Sequence, residues 1–391
     1  MVVDYEQRVD PHAVREARVA RARAEMDAAG LEALLVWKDE NVRFLSGLRA
    51  QIIQGKSALL NGCLLRADGT MTLFASGGEI DRVRARMPWI EDVRPIPIME
   101  ARGLVRGAFE TAVLPALGDL GRIGIDELAY AQVEAFAELA PGVRLADGDA
   151  VMQRARLVKD AGELELMRGA CAIAEAVTET AIDAVRPGVK ECEVAGEAMR
   201  TLYRLGGEMA HLATPFVASG GNMSPPQRFS SDKLIREGDI VFIDIGAMWN
   251  GYYADIGRAV VCGRPTRRQQ EVYTAVYHGL QAAVRAMRAG NTNDDVAAAV
   301  RHEGIERGFG DDFLSLFIGH GIGMGANEPP YIGEALAGAE TIELRTGMTM
   351  AIEPLIWVPG VGVRLEDTIA VGEDGGIPLS RSPFDERLLL D

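Results

Sequence analysis

One stretch limits what this chain can fold into: residues 241–261, VFIDIGAMWNGYYADIGRAVV, where two carboxylates interrupt apolar runs. The central Asn250-Gly251 pair is typical of a tight β-hairpin turn, because both residues tolerate positive φ angles. Asp244 and Asp255 each lie next to isoleucine on one of the two predicted strands. An ionised carboxylate buried in an apolar sheet is strongly disfavoured unless it has a partner. Two such carboxylates facing each other across a hairpin therefore predict a bound cation.

Composition and charge exclude several classes of partner. The chain has 391 residues, of which 48% are hydrophobic, and this length suggests two domains. A formal net charge of −16 disfavours nucleic acid and anionic membranes, since both repel an acidic surface. The charged N-terminus shows no signal peptide, and no apolar run is long enough to cross a membrane. The four cysteines lack CxxC spacing, which favours the reducing cytoplasm. Taken together with the charge, this predicts a cytoplasmic protein that binds neither nucleic acid nor membrane.

The first part of the chain predicts an α/β domain. The predicted elements are, in order, a helix over 14–29, a strand over 31–37, a hairpin over 57–76 and a strand over 122–126. No GxGxxG loop follows a strand in this part, so nucleotide binding has little support. From Asp160 onward a long helical periodicity replaces the alternating pattern. We therefore place a domain boundary near residue 150, with domains at 1–150 and 151–391.

Two pairs of predicted helices indicate an internal duplication. One pair, over 161–185 and 191–205, precedes the hairpin, and another, over 267–289 and 293–307, follows it. At a constant offset the pairs align Arg186 with Arg288, Gly188 with Gly290, Glu193 with Asp295, Val194 with Val296, Ala195 with Ala297 and Gly206 with Gly308. Such self-similarity predicts that the second pair also leads into a hairpin that carries carboxylates.

That second hairpin is visible over 348–371, MTMAIEPLIWVPGVGVRLEDTIAV. Its turn is Pro359-Gly360, with Glu353 on the first strand and Glu366 on the second, at a separation similar to that of the two aspartates. Each half of the duplication thus contributes two carboxylates to one central point. Four converging carboxylates repel one another, and divalent cations are the ordinary means of keeping them ionised.

His320 lies between the hairpins in the string FIGHGIGMGANEPPYIG, flanked by glycines that allow neighbours to approach closely. A neutral imidazole is a common ligand for manganese, iron, cobalt and zinc. One imidazole with four carboxylates, two of them able to bridge, suits two divalent ions about 3.5–4 Å apart, which can activate water and polarise a carbonyl. We expect two divalent metal ions, manganese first, with iron, cobalt and zinc as alternatives.

The local strings VASGGN, GYYADIGR, GHGIGMG, AIEP and GVRLEDT resemble those of the pita-bread metallopeptidase family, which includes aminopeptidase P, prolidase, methionine aminopeptidase and creatinase. The family's metal ligands fall on Asp244, Asp255, His320, Glu353 and Glu366. Near the N-terminus, NVRFLSG and RARLVKDAGELELMR are similar to the creatinase-type N-terminal domain. The resemblance implies an α+β fold: a smaller creatinase-type α/β domain, then a pita-bread domain with pseudo-twofold duplication, in a homodimer.

The resemblance also implies roles for residues around the ligands. Glu353 corresponds to the base that takes a proton from the attacking water, and Arg364 to a residue that supports the ligands and the active site. Family members that cleave Xaa-Pro bonds carry histidines where this chain has Gln227 and Asn327. Amides donate hydrogen bonds but cannot shuttle a proton near neutral pH. We therefore expect a hydrolase acting on the C–N bond of a small amide, dipeptide or modified amino acid, not a strict Xaa-Pro peptidase.

Two alternatives stay open. The first is a metal-dependent lyase, because the tail PLSRSPFDERLL is similar to that of the dimethylsulfoniopropionate lyase of this superfamily, which also lacks the peptidase histidines. A sulfonium substrate prefers an aromatic cage, however, and the motif strings offer only Trp249, Tyr252, Tyr253 and Tyr331. The second is a non-catalytic binding module, but family members of that kind usually lose ligands that this chain retains.

Overall fold

The structure, a computed structural model, describes residues 8–50, 61–97, 102–310, 312, 317–333 and 340–390. Contacts divide the chain into two compact units, Met1–Arg156 and Leu157–Asp391. Residue 150, where the sequence analysis places its boundary, lies within the helix Gly148–Leu157. No helix among the described residues has both the length and the apolar character needed to span a membrane.

The first unit is built on a six-stranded mixed sheet with the order β4-β3-β2-β1-β5-β6. Its strands are β1 (Ala33–Val36), β2 (Gly62–Arg66), β3 (Met71–Ala75), β4 (Asp92–Pro95), β5 (Arg122–Ile125) and β6 (Arg144–Asp147). Its helices are α1 (Pro11–Ala28), α2 (Asp39–Ser46), α3 (Ile80–Arg86), α4 (Arg102–Ala108), α5 (Leu114–Leu117), α6 (Tyr130–Leu139) and α7 (Gly148–Leu157), with a π-helical turn over Phe109–Val113. The central strand β1 pairs antiparallel with β2 and parallel with β5.

Local sequence explains the ends of these elements. Helix α1 begins after Asp10, whose carboxylate accepts the backbone N–H of His12 at 2.8 Å, and the chain leaves the helix through Gly30 at φ +62°. The β2–β3 turn contains Gly69 at φ +94°, as its Asp-Gly sequence predicts. Residues 57–60 of the hairpin predicted here lie outside the described residues. The alternation of helix and strand confirms the predicted α/β organisation.

The second unit has two main sheets, with the orders β11-β8-β7 and β13-β12-β14-β17-β18, and two short ribbons, β9-β10 and β15-β16. The helices are α8 (Ala161–Ala184), α9 (Glu191–Arg204), α10 (Arg267–Ala286) and α11 (Asn293–Glu306), with 3₁₀ turns over Gly220–Asn222 and Glu386–Leu388. The strands are β7 (Phe216–Ser219), β8 (Ile240–Asp244), β9 (Ala247–Trp249), β10 (Tyr252–Ala254), β11 (Gly257–Val261), β12 (Gly319–Gly321), β13 (Glu328–Ile332), β14 (Thr349–Ile352), β15 (Leu355–Val358), β16 (Val361–Arg364), β17 (Asp367–Ala370) and β18 (Ile377–Pro378).

The topology of this unit is repeated. In each half a helix pair precedes a strand, β7 in the first half and β12 in the second. That strand pairs antiparallel with the first strand of a long hairpin, β8 or β14. The part of the hairpin nearest its turn forms a separate ribbon, β9-β10 or β15-β16. The order β7-β8-β11 in one half therefore matches β12-β14-β17 in the other. The predicted pseudo-twofold duplication is confirmed by this repeat.

Hydrogen bonds at the helix pairs repeat as well. Gly188 donates to Ile235 O at 2.9 Å, and Gly290 donates to Leu344 O at 3.0 Å. Both glycines have φ +87°, a value that a residue with a side chain rarely adopts. The aligned glycines of the sequence analysis thus occupy equivalent turns, so the alignment was not a coincidence of composition.

Candidate metal centre and active site

The first hairpin brings Asp244 and Asp255 close together. Strands β8 and β11 pair with Asp244 opposite Gly257, and the Asn250-Gly251 turn has φ angles of 48° and 88°. Both aspartates are almost fully buried, with 4% and 2% of their surface exposed. The strand pairing is interrupted just after Asp244 and again at Asp255, where the ribbon β9-β10 begins and ends, so both carboxylates lie at the same break in the sheet.

The second hairpin repeats this arrangement with glutamates. Glu353 directly follows β14, and Glu366 lies between β16 and β17, also at a break between two ladders. The two halves meet where Gly257 and Glu366 exchange backbone hydrogen bonds of 3.3 and 2.9 Å. These two hydrogen bonds place Glu366 of the second hairpin beside Gly257, which is two residues after Asp255 in the first hairpin.

His320 reaches the same point from strand β12. Its neighbour Gly321 lies so close to Pro329 O that a side chain there would clash with the backbone, which explains one of the flanking glycines. The Nε2 atom of His320 is 3.7 Å from Asp255 Oδ2 and 3.6 Å from Glu353 Oε1. Its Nδ1 atom is 2.9 Å from the carbonyl oxygen of Gly321. The imidazole therefore presents Nε2 to the carboxylates.

Arg364 links the carboxylates of the two halves. Its Nη1 atom is 2.8 Å from Glu353 Oε2 and 3.9 Å from Asp244 Oδ2, and the residue is 5% exposed. The structure thus gathers all five predicted ligands and Arg364 in one buried cluster.

The cluster also contains His211, which the sequence analysis does not identify. Its side chain is 4% exposed, and its Nε2 atom lies 3.0 Å from Asp255 Oδ2 and 3.7 Å from Asp244 Oδ1. The residue precedes strand β7 in a segment that pairs with β9, because Met248 donates to Met209 O at 2.8 Å. A single histidine outside the motif strings gives no sequence signal beyond its rarity, since the chain has only five.

Burial and mutual repulsion dominate the electrostatics of the carboxylates. Burial raises the pKa of Asp244 to about 7, although Arg364 acts against it. Burial also raises the pKa of Asp255 and of Glu366 well above the ordinary range, and neighbouring carboxylates add to the effect. Burial lowers the pKa of His211 to about 3, so this imidazole is neutral at pH 7. A site of this kind is held ionised only by added positive charge.

The donor set fits a divalent metal pair. Among the described residues, no hydrogen-bond donor reaches three buried oxygens: Asp244 Oδ1, Asp255 Oδ1 and Glu366 Oε2. Buried carboxylate oxygens normally have a partner, so these atoms are suited to a cation. The possible ligand atoms form two sets, and within each set all atoms lie within 4.8 Å of one another. One set comprises His211, Asp244 and Asp255, and the other comprises Asp255, His320 and Glu366. Asp255 belongs to both sets, as expected of a bridging ligand.

Gln227 and Asn327 lie in loops beside this cluster's strands. Gln227 follows the 3₁₀ turn Gly220–Asn222, and its amide donates to Phe229 O at 3.4 Å. Asn327 is exposed and directly precedes β13. Within the described part of the chain, neither amide forms a hydrogen bond to the predicted ligands. Their roles toward a substrate therefore stay predictions.

Glu191 holds the loop that carries Gln227. Its carboxylate is fully buried at the start of α9 and accepts hydrogen bonds from Ser219 Oγ at 2.8 Å, Asn222 Nδ2 at 3.1 Å and Ser231 Oγ at 2.6 Å. It also accepts the backbone N–H groups of Ser219 and Ser231. Ser219 and Asn222 of the VASGGN string are thus explained by their hydrogen bonds to Glu191, which also holds Ser231 at the other side of the loop.

Comparison with known proteins identifies the family. The sequence matches the family description "Creatinase/Prolidase N-terminal domain" over residues 18–158 and "Metallopeptidase family M24" over residues 165–373, which is more than half of the chain. The chain belongs to metallopeptidase family M24. This membership confirms the predicted pita-bread fold, the creatinase-type N-terminal domain and the class of metallopeptidase-like hydrolase.

Individual M24 relatives match over nearly the whole chain. A Xaa-Pro dipeptidase of Pyrococcus furiosus is 30% identical over 368 residues, covering 93% of this chain and 97% of the relative. The probable dipeptidase PepE of Mycobacterium tuberculosis is 29% identical over 380 residues, covering 94% and 95%. The prolidase from Pyrococcus horikoshii OT3 superposes with a TM-score of 0.80 at 28% identity, covering 94% of this chain and 99% of that one. The similarity to these relatives therefore extends through both units.

Proposed function

We propose that this M24 chain is a divalent-metal-dependent hydrolase that cleaves the C–N bond of a small amide, dipeptide or modified amino acid. The observation that carries the proposal is the convergence of the five predicted ligands in one buried cluster, in which three carboxylate oxygens have no hydrogen-bond donor among the described residues. Relatives named Xaa-Pro dipeptidase support a small peptide as the substrate. When bound, a divalent metal pair supplies Lewis acidity toward a carbonyl oxygen and a nucleophilic water at neutral pH.

Asp244, Asp255, His320, Glu353 and Glu366 would hold the metal ions, and Glu353 is also the proposed base. One oxygen of Glu353 forms an ion pair with Arg364 at 2.8 Å, and the other lies 3.6 Å from His320 Nε2. Because the guanidinium holds one carboxylate oxygen, the other keeps a fixed direction toward the cluster. A carboxylate positioned in this way can take a proton from water and give it to the leaving amine.

Gln227 and Asn327 are the proposed substrate-orienting groups. Amide side chains can donate hydrogen bonds to a substrate oxygen without exchanging a proton. Because amides stand here at the positions where the family resemblance places histidines, a substrate range other than strict Xaa-Pro peptides is supported.

Hydrolysis can be tested with metal-replete protein on a panel of dipeptides, including Xaa-Pro, and acylamino acids. We expect turnover of at least one member and a loss of about 10²- to 10⁴-fold in Glu353→Gln, the range that general acid–base catalysis contributes. Equal turnover by wild type and Glu353→Gln would remove the assigned base.

The same incubations distinguish the lyase alternative. Release of dimethyl sulfide from dimethylsulfoniopropionate, with no turnover of the amide panel, would replace hydrolysis with elimination. Tyr252, one of the few aromatic residues of the motif strings, is buried and donates its hydroxyl to Glu163 Oε1 at 2.8 Å. It therefore does not favour an aromatic cage for a sulfonium group.

We also propose manganese as the metal, a homodimer as the assembly and the cytoplasm as the location. Metal analysis of protein purified without chelator tests the first, and light scattering after size-exclusion chromatography tests the second. Expression of a tagged chain followed by fractionation tests the third.

A further inference from the structure

The cluster contains two histidines whose rings are fixed by opposite kinds of backbone group. Nδ1 of His320 lies 2.9 Å from the carbonyl oxygen of Gly321, which can only accept a hydrogen bond. Nδ1 of His211 instead accepts the backbone N–H of Gly246 at 3.1 Å. Since a neutral imidazole carries one proton, these partners specify different tautomers for the two rings.

His320 has the tautomer of a metal ligand. With its proton on Nδ1, the Nε2 lone pair faces the carboxylates, and ligating histidines almost always donate their other ring N–H to an acceptor in this way. His211 has the reverse arrangement. Because Nδ1 already accepts a hydrogen bond, the proton of the neutral ring lies on Nε2, which is the atom that faces Asp255 and Asp244.

The environment of Gly246 fixes the position of the His211 ring. A Cβ atom at residue 246 would lie 2.8 Å from His211 Nδ1 and would also clash with the carbonyl oxygen of Ala254. Only glycine therefore allows this N–H to approach the ring so closely. The backbone of His211's segment is fixed independently, because Glu208 donates to Met248 O at 2.7 Å and Met248 donates to Met209 O at 2.8 Å.

We propose that His211 is a positioning residue that donates its Nε2–H to Asp255 Oδ2 and orients this carboxylate for metal binding, without ligating a metal itself. The 3.0 Å separation of Nε2 and Oδ2 is the ordinary length of an N–H···O hydrogen bond. Asp255 lies beside the predicted ligand Asp244 in one cluster and beside His320 and Glu366 in the other, so its orientation affects both groups of predicted ligands. The second half of this inference, on metal affinity, rests on the metal pair of the proposed function.

The tautomers can be measured directly in the metal-free protein. The chain has five histidines, and the variant His12→Gln/His278→Gln/His302→Gln leaves only His211 and His320. In two-bond ¹H–¹⁵N correlation spectra at neutral pH, we expect one ring with its proton on Nε2 and one with its proton on Nδ1, and His211→Gln assigns them. After addition of Zn²⁺, which is diamagnetic, the nitrogens of His320 should shift while His211 keeps its Nε2 proton. Loss of that proton on Zn²⁺ binding would make His211 a ligand and overturn the proposal.

Affinity for Mn²⁺ provides an independent readout by calorimetry. A glutamine amide can place a donor near the position of the His211 Nε2–H, whereas alanine cannot. We expect His211→Ala to weaken Mn²⁺ binding about 10- to 100-fold, as the loss of a partner of a metal ligand typically does, and His211→Gln to restore most of it. Equal losses in the two variants would contradict a donor role. Neither measurement depends on which bond the enzyme cleaves, so a failure here is distinguishable from failure of the proposed function.

Discussion

At the scale of single residues, the cluster is defined by what its carboxylate oxygens lack. Asp244, Asp255 and Glu366 each retain a buried oxygen that no donor in the described part of the chain reaches. Such atoms cost free energy in a folded protein unless a ligand satisfies them. Stability and metal binding are therefore opposed at these positions, and substitutions should separate them.

Asp244→Asn should weaken metal binding but stabilise the metal-free protein. The amide removes one of the converging charges, so the like-charge repulsion falls while one ligand is lost. Loss of a residue that hydrogen-bonds a metal ligand typically weakens metal binding about 10- to 100-fold, and we expect the loss of the ligand itself to weaken Mn²⁺ binding at least as much. Turnover should disappear, and the melting temperature in chelator should rise. Asp119→Asn, at an exposed position of the first unit, is the matched control and should change neither value. A lower melting temperature of Asp244→Asn in chelator would contradict the repulsion argument.

Sequence reasoning identified residues when their chemistry was unusual for their surroundings. Asp244 and Glu366 stood out because carboxylates rarely interrupt apolar strands, and the structure brings them together. His211 did not stand out, because its importance depends on the pairing of its segment with β9 and on the N–H of Gly246, neither of which leaves a local pattern. A contact made across the fold by a lone residue is not encoded in spacing.

At the scale of elements, each of the two carboxylate-bearing hairpins consists of two ladders separated by a break. The tripeptide Asp-Ile-Gly occurs at both breaks of the first hairpin, at 244–246 and 255–257. The glycine N–H groups have different partners: Gly246 donates to the His211 ring, and Gly257 donates to Glu366 O. Identical local sequence thus serves two tertiary contacts. The hairpin and its turn were predictable from periodicity, whereas these breaks in the ladder were not.

The loop between β7 and β8 should depend on Glu191. In Glu191→Gln one acceptor oxygen becomes an N–H₂ group, which faces donors either from Ser219 and Asn222 or from Ser231 and Asn222, depending on the oxygen replaced. We expect destabilisation of about 1–3 kcal/mol for each buried donor left without a partner, measured by urea unfolding, and a rise in KM larger than the fall in kcat.

Glu197→Gln is the control for this helix, because the Glu197 carboxylate is 48% exposed and forms a surface ion pair with Arg200. It should change stability by less than about 0.5 kcal/mol. If both variants unfold at the same urea concentration, Glu191 does not order the loop.

At the scale of the whole molecule, the second unit contains a cluster of buried acids whose charge either protons or a bound cation can neutralise. Without metal, the folded-state pKa values of Asp244, Asp255 and Glu366 lie above the unfolded values of 3.8 for Asp and 4.5 for Glu. The folded chain therefore binds more protons than the unfolded chain between these values. Stability then falls as pH rises through this window.

Thermal melts should show this dependence directly. In chelator, we expect the melting temperature to decrease as pH rises from about 4.5 to about 7, because the three carboxyls bind protons more tightly in the folded chain than in the unfolded chain. The lowered pKa of His211 acts in the opposite direction, but it is one group against three. Saturating Mn²⁺ should abolish the decrease and raise the melting temperature at neutral pH, because a ligand that binds only the folded state stabilises it. A melting temperature in chelator that is independent of pH would show that the carboxylates do not interact as the structure indicates.

The duplication has a consequence for how different the two halves of the carboxylate cluster can become. Two identical copies of one hairpin, assembled as separate chains, would necessarily present the same acids from both sides. Here the halves are parts of one polypeptide, so one presents short aspartate arms and the other glutamate arms that are one methylene longer. The reciprocal hydrogen bonds of Gly257 and Glu366 keep a symmetric frame, while the side chains upon it are free to diverge. Covalent continuity therefore permits the two halves to acquire different neighbours: the Arg364 guanidinium lies closest to Glu353 of the second half, while the His211 ring approaches only the aspartates of the first half among the ion pairs of the described residues.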